Sequence, residues 1–284
     1  MTDVKWVSAY QACATIRIVR SCAVLLTLLL FSSVHLTAQD SLGEARRLYN
    51  AGDFDQAEAA ARMALESPAT ANSARVVLGR IHLERYRKGP TGTALADARA
   101  AFREVDPLQL DPRERIELTL GFAETLFLED RFAAAAEMFR PILASSMELG
   151  DAAHERVLDW WATSLDRHAQ TRPMPERPAI YARIAERMHD ELERDPGSIP
   201  AGYWVVAAAR ASGDLDTAWN AAAAAWIRAA LGRDRGVILR GDLDRLVVQA
   251  IIPERAARLS PKDSSVAVTG LLSEWEAFKA NWSR

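Results

Sequence analysis

The sequence predicts an all-α fold, an α-solenoid of about five helical hairpins closed by a C-terminal helical cap. Three stretches place apolar residues at offsets 0, 3, 7, 10 and 11, and two more keep four of these positions. This spacing gathers the residues on one face of a helix. Each stretch follows another helix-like segment, so the unit is a helical pair, and stacked pairs form a solenoid. The stretches begin at Phe54, Leu95, Phe132, Tyr181 and Leu215, which are 41, 37, 49 and 34 residues apart.

Turn signals and periodicity predict the individual helices. Gly52 permits the turn in the first hairpin and Asp53 can cap the helix that follows, and Gly213 and Asp214 repeat this pair in the fifth hairpin. First helices are predicted at 41–49, 71–87, 113–128, 152–168 and 201–211. Second helices are predicted at 54–66, 95–105, 132–143, 180–193 and 215–231. Small residues on these helices, among them Gly79 and Gly121, indicate places where helices approach closely.

Residues 233–284 do not continue the repeat. The apolar segment from Val237 to Ile252 is predicted to be a helix that Pro253 breaks. A last helix carries apolar residues on one face as far as Trp282. A terminal element has to cover the final apolar face of a solenoid, so this region is predicted to be a helical cap.

The N-terminal residues 1–38 have the pattern of a secretory signal. Arg17 and Arg20 precede the short apolar run 22–31, and Ala38 is a suitable last residue before cleavage. We therefore expect export to the periplasm or the exterior, and the alternative is an uncleaved membrane anchor. The two cysteines lie in this segment, so the mature chain would have no thiol.

Composition limits the classes of partner. The 284 residues are 49% hydrophobic, enough for a sizeable core, and the net charge is only -3. So small a charge does not favour nucleic acid or an anionic membrane surface as the partner. Any membrane contact is expected only through residues 1–38, if they are not removed.

Three segments resemble the tetratricopeptide repeat (TPR). "AGDFDQAEAAARMALESP" and "SGDLDTAWNAAAAAWIRAAL" are similar to the second half of that repeat, and "SARVVLGRIHLERY" is similar to the first half. The resemblance covers residues 45–231 and implies a superhelix whose first helices line an inner groove that binds a protein segment. Outward-facing residues on the first helices are the candidate groove residues: Tyr49, Asn50, Arg80, Glu84, Trp160, Tyr203 and Arg210.

The search for catalytic patterns gives no catalytic, cofactor or metal site. The histidines lack the spacing of a zinc motif, and no serine-nucleophile or phosphate-binding motif is present. Glu155 and Asp159, one turn apart beside Trp160 and Trp161, are the best candidates for an acid/base pair. The sequence therefore favours a noncatalytic scaffold or adaptor that binds a protein. The alternatives are an enzyme acting on cell-wall glycan and a structural subunit of an envelope complex.

Overall fold

The computed structural model describes residues 39–90, 92–232 and 234–283, and over these residues the chain is helical and contains no strand. The all-α prediction is confirmed for them. The expected signal segment 1–38 lies outside the described residues. The chain divides into two compact units, Met1–Gly121 and Phe122–Arg284.

Over the described residues, the first unit contains four helices and the beginning of a fifth. They are α1 (39–51), α2 (Phe54–Ala64), α3 (Ala71–Lys88), α4 (Ala94–Arg103) and α5 (Pro112–Leu128), whose residues 122–128 belong to the second unit. Helix α3 packs against both α2 and α4. The core between α1, α2 and α3 consists mainly of alanine, leucine, isoleucine and valine side chains. Such small side chains let the helices lie close together.

Gly79 on α3 and Gly121 on α5 face the aromatic ring of Phe102 on α4. The ring is 1% exposed and fills the space that side chains at these two positions would occupy. The predicted close approach is therefore confirmed at both glycines. What approaches their backbone is a phenyl ring.

The second unit contains the remaining helices. They are α6 (Phe132–Phe139), α7 (Asp151–Gln170), α8 (Arg177–Arg194), α9 (Ile199–Ala211), α10 (Leu215–Arg228), α11 (Arg235–Leu246), α12 (Ile252–Leu259) and α13 (Ser265–Trp282). Consecutive helices from α6 to α11 pack against one another, as do α12 and α13. Short 3-10 turns join several of the helices, and a π-helical segment, Val247–Ile251, joins α11 to α12.

The five predicted apolar stripes form the inward faces of their helices. The positions that are only half-buried are Phe54, Leu65, Leu95, Phe132 and Leu192, and the others are buried. Local periodicity was sufficient to identify these faces because a helix with one apolar side has one way to bury it.

Three turns share one backbone geometry, and each lies directly before one of the apolar stripes. Gly52 and Gly213, each two residues before a stripe, have φ of 80° and 83°, and Asp130 takes the same place with φ of 58°. In each turn the next residue donates its N–H to a carbonyl five residues back, at 2.8–3.0 Å. This is a Schellman motif, which ends one helix and starts the next at a fixed angle. Asp53 and Asp214 then cap α2 and α10, as predicted.

A cluster of aromatic rings forms the core between α10 and α13. Trp275, fully buried, lies 5.8 Å from Trp219, 5.6 Å from Trp226 and 5.5 Å from Phe278, measured between ring centroids. Its indole N–H donates to Asp244 at 2.9 Å. Residues after 233 therefore share one core with α10.

Pro253 does not break the helix as predicted. The backbone stays helical from Arg235 to Leu259, and Pro253 lies in the first turn of α12, directly after the π-helical segment. A π turn is wider than an α turn and makes room for a ring that has no N–H to donate. The prediction was wrong because it assumed α geometry on both sides of the proline.

Candidate functional site

A cleft in the second unit is the candidate site. Helix α9 packs against both α7 and α11, and the three helices line a cleft of about 600 Å³. This volume is in the range of pockets that enclose a small ligand or a few side chains. The lining residues are Glu155 and Asp159 on α7, Ile199, Pro200 and Tyr203 on α9, Arg235, Ile238, Leu239, Asp242, Arg245 and Leu246 on α11, and Gln249 and Ala250 after it.

The two carboxylates of α7 have different partners. Glu155 forms an ion pair with Arg235, at the start of α11. Asp159, one turn further along α7, accepts a hydrogen bond from the indole N–H of Trp204 at 2.8 Å. These contacts join α7 to α9 and α11 and fix both carboxylates on the wall of the cleft.

Glu155, Asp159 and Tyr203 in the cleft have raised pKa values. Desolvation raises the pKa of Glu155, although the charge of Arg235 opposes the shift. Desolvation also raises the pKa of Asp159, against the hydrogen bond from Trp204 and with help from the charge of Asp242. Asp159 is exposed at the surface of the cleft, so its desolvation is only partial. Burial and the charge of Asp242 raise the pKa of Tyr203 as well.

Apolar side chains line the cleft beside these polar groups. Leu239 is buried beneath the cleft, whereas Ile238 is 63% exposed and faces it. The neighbouring Val237 is 73% exposed and is not part of the lining. A concave surface lined by apolar side chains with a few polar groups among them is typical of a binding site.

Only one of the predicted groove residues lines the cleft. Tyr203 does so. Trp160, on the same unit, instead packs against Phe127 and Phe139, with ring centroids 5.3 and 6.0 Å apart. Arg210 forms an ion pair with Glu254, at 3.1 Å from Nε, and does not line the cleft.

Three other predicted groove residues form a cluster in the first unit. Tyr49 donates a hydrogen bond to Glu84 at 3.3 Å, and the guanidinium of Arg80 lies 4.6 Å from the centre of the Tyr49 ring. Arg80 also pairs with Glu117 at 3.4 Å. Asn50, the seventh residue, is exposed at the end of α1. The structure therefore brings Tyr49, Arg80 and Glu84 together in a network of internal contacts.

The sequence analysis missed the contribution of α11 to the cleft. Arg235, Ile238, Asp242 and Leu246 recur every three or four residues along one face of this helix, which is a signal present in the sequence. The sequence prediction assigned this segment to an apolar helix of the cap and gave it no part in a site. The pairing of Arg235 with Glu155, 80 residues earlier, has no local signature.

A second group of polar residues lies buried near the start of α7. Ser146 Oγ is 2.8 Å from Nδ1 of His154, and Nε2 of His154 is 3.1 Å from a carboxylate oxygen of Glu191. A serine, a histidine and a carboxylate in this order can activate a nucleophile. Each of the three is at most 2% exposed, however, and Ser146 also donates to the carbonyl of Leu143. A substrate cannot reach a hydroxyl buried in this way, so the cluster holds α7 and α8 together.

The described part of the chain has no group of three or more histidine, cysteine, aspartate or glutamate side chains that could bind a metal ion. None of its helices has the length and apolar character needed to span a bilayer. Compared with protein-family models and with curated proteins, the chain matches none of them.

Proposed function

We propose that the protein is a noncatalytic scaffold or adaptor that binds a segment of another protein, and that the cleft of the second unit receives that segment. The observation that carries this proposal is the cleft of about 600 Å³, in which the exposed Ile238 lies beside paired and unpaired charges. An apolar contact with a few placed polar groups is the usual composition of a binding site. The pattern of residues 1–38 supports an exported location.

The fold supports this proposal in its finer form, a TPR-like superhelix. Repeated helical hairpins require a buried apolar stripe in each hairpin and a turn of constant geometry. The stripes are buried in all five hairpins, and three turns share one geometry, at Gly52, Asp130 and Gly213. The cleft, moreover, is lined by α7, α9 and α11, and α7 and α9 are first helices of their hairpins. In the repeats that the sequence resembles, first helices line the groove.

Site-specific photo-crosslinking of the whole chain tests the proposal. The crosslinking amino acid benzoylphenylalanine replaces Ile238 in one variant and Val237 in a matched control. Both positions are exposed and adjacent, but only Ile238 faces the cleft. We expect position 238 to capture one dominant protein from the native extract, and Ile238→Asp to abolish its capture in a pull-down. Equal crosslinking from both positions, or none from either, would contradict the proposal.

A glycan-acting enzyme is the second candidate. Glu155 and Asp159 line the same cleft, and desolvation raises the pKa of both, which suits a carboxyl group that must donate a proton near neutral pH. The ion pair of Glu155 with Arg235 weighs against this role. The test is release of soluble fragments from purified cell-wall glycan, which Glu155→Gln should lower by at least ~100-fold. Absence of hydrolysis by the unmodified chain would end this candidate.

A further inference from the structure

The charges of the cleft are only partly compensated. Three carboxylates and two guanidinium groups line it, which leaves one net negative charge. Arg235 forms an ion pair with Glu155. Arg245 forms an ion pair with Asp242 at 3.3 Å, and the side chain of Arg245 is 65% exposed. An ion pair so exposed to water is weak. Asp159, in contrast, has only the neutral indole of Trp204 as a partner and no ion pair in the described part of the chain.

Asp159, Asp242 and Tyr203 act on one another electrostatically. The charge of Asp242 raises the pKa of both Asp159 and Tyr203, and that of Asp159 raises the pKa of Tyr203. All three side chains line the one cleft, on α7, α9 and α11, and the cation paired with one of them is Arg245, whose side chain is mostly exposed to water. A positive group placed there would relieve the repulsion between the two carboxylates and could lie against the tyrosine ring.

We propose that the cleft recognises a protein segment in which an arginine or lysine side chain stands next to an aliphatic one. The cation lies between Asp159 and Asp242 against Tyr203, and the aliphatic side chain packs on Ile238. This inference rests on the proposed function and adds the chemistry of the partner. Charge complementarity selects this occupant, because an acidic segment would meet two carboxylates of like charge. A purely aliphatic segment would desolvate both carboxylates and would leave Asp159 without an ion-pair partner.

Selection from a library of random dodecapeptides displayed on phage, with the whole chain as target, tests the inference. We expect enrichment of peptides with arginine or lysine beside leucine, isoleucine or valine. An enriched peptide should then be synthesised and its Kd measured by fluorescence polarisation. The double variant Asp159→Asn/Asp242→Asn should raise that Kd by at least ~10-fold. Substitution of citrulline, a neutral isostere, for the arginine of the peptide should have a similar effect.

A second double variant controls for the loss of two negative charges. Asp190 on α8 and Glu274 on α13 are exposed and lie outside the cleft lining, so Asp190→Asn/Glu274→Gln should leave the Kd within about twofold. Equal weakening by both double variants would overturn the inference, since it would show only long-range attraction. Circular dichroism of each variant establishes that it is folded.

The outcomes also separate this inference from the proposed function. Enriched peptides that are acidic or uncharged, and whose binding Ile238→Asp abolishes, would refute the basic-side-chain preference and leave the docking cleft in place. If no peptide is enriched on the unmodified chain relative to the Ile238→Asp variant, both this inference and the proposed function would be contradicted.

Discussion

The substitution Gly79→Ala should change the stability of the protein through two effects of opposite sign. Alanine in a helix interior is favoured over glycine by about 1 kcal/mol, because glycine loses more backbone freedom on folding. A Cβ at position 79, however, would lie 2.6 Å from Cζ and 2.7 Å from Cδ1 of Phe102, where ordinary contacts are 3.4–4 Å. The ring cannot retreat to the far side, since it already lies against the backbone of Gly121, so closely that a Cβ there would be only 2.7 Å from its Cε1.

Overpacking of this kind costs about 1–3 kcal/mol, and the 1% exposure of Phe102 leaves no route to solvent. We therefore expect Gly79→Ala to lower the free energy of unfolding by up to about 2 kcal/mol, after the helix-propensity gain is subtracted. The assay is urea unfolding followed by far-ultraviolet circular dichroism. Gly43, in α1, is the matched control because a Cβ there would meet nothing within 4 Å. Gly43→Ala should raise the free energy of unfolding by about 0.5–1 kcal/mol.

A double-mutant cycle with Phe102→Leu completes the test. If the phenyl ring is the obstacle, the cost of Gly79→Ala should shrink by about 1 kcal/mol or more in the Phe102→Leu background. The reasoning would be refuted if Gly79→Ala stabilised the protein as much as Gly43→Ala does. It would also fail if the two effects in the cycle simply added.

Three further predictions concern buried polar contacts and the aromatic core. Burial alone would raise the pKa of Glu191, but hydrogen bonds from His154 and Arg194 outweigh it and lower the pKa from 4.5 to about 2. The ionised carboxylate should contribute about 2 kcal/mol to the free energy of unfolding, after allowance for solvent screening. This contribution should be complete above pH 4.5 and disappear as the pH falls towards 2. Glu191→Gln should reduce this pH dependence of the free energy of unfolding, measured by urea titration at a series of pH values. Trp275→Ala should cost about 3–5 kcal/mol and remove one hydrogen bond to Asp244, which keeps its ion pair with Lys279. A smaller loss in thermal unfolding would show that the core collapses around the gap. Thr70 donates to the carbonyl of Ala64 at 2.6 Å, so Thr70→Val should cost about 1–2 kcal/mol and Thr70→Ser little, and equal losses would rule out this hydrogen bond as the cause.

The helices could be predicted from the sequence because their signals are local. Offsets of three and four residues identified the buried face of each stripe, and the dipeptides at Gly52 and Gly213 identified the turns. The third turn lacked a glycine, yet Asp130 adopts the same left-handed conformation, which aspartate tolerates better than most residues. Helix ends differed from the prediction by only a few residues.

The candidate site could be predicted only in part. The one-turn spacing of Glu155 and Asp159 predicted that both face one side of α7, and they do line one cleft. Arg235 and Asp242, which complete the electrostatics of that cleft, come from a helix some 80 residues later, and tertiary packing alone brings them there. Arg210 likewise forms its ion pair with a residue distant in sequence, Glu254, and no local pattern predicts this partner.

The π-helical segment 247–251 also bears on how the length of this chain can vary. A π turn holds one residue more than an α turn, which makes it equivalent to a single-residue insertion into a regular helix. Before it, Leu246 faces the cleft; after it, Ile252 and Ala256 are buried in the core with Trp275. Deletion of one residue here would restore a regular helix and rotate all that follows by about 100°. Substitutions in this segment change a side chain, whereas a change in its length would turn the core-facing side of the helix beyond it away from the core.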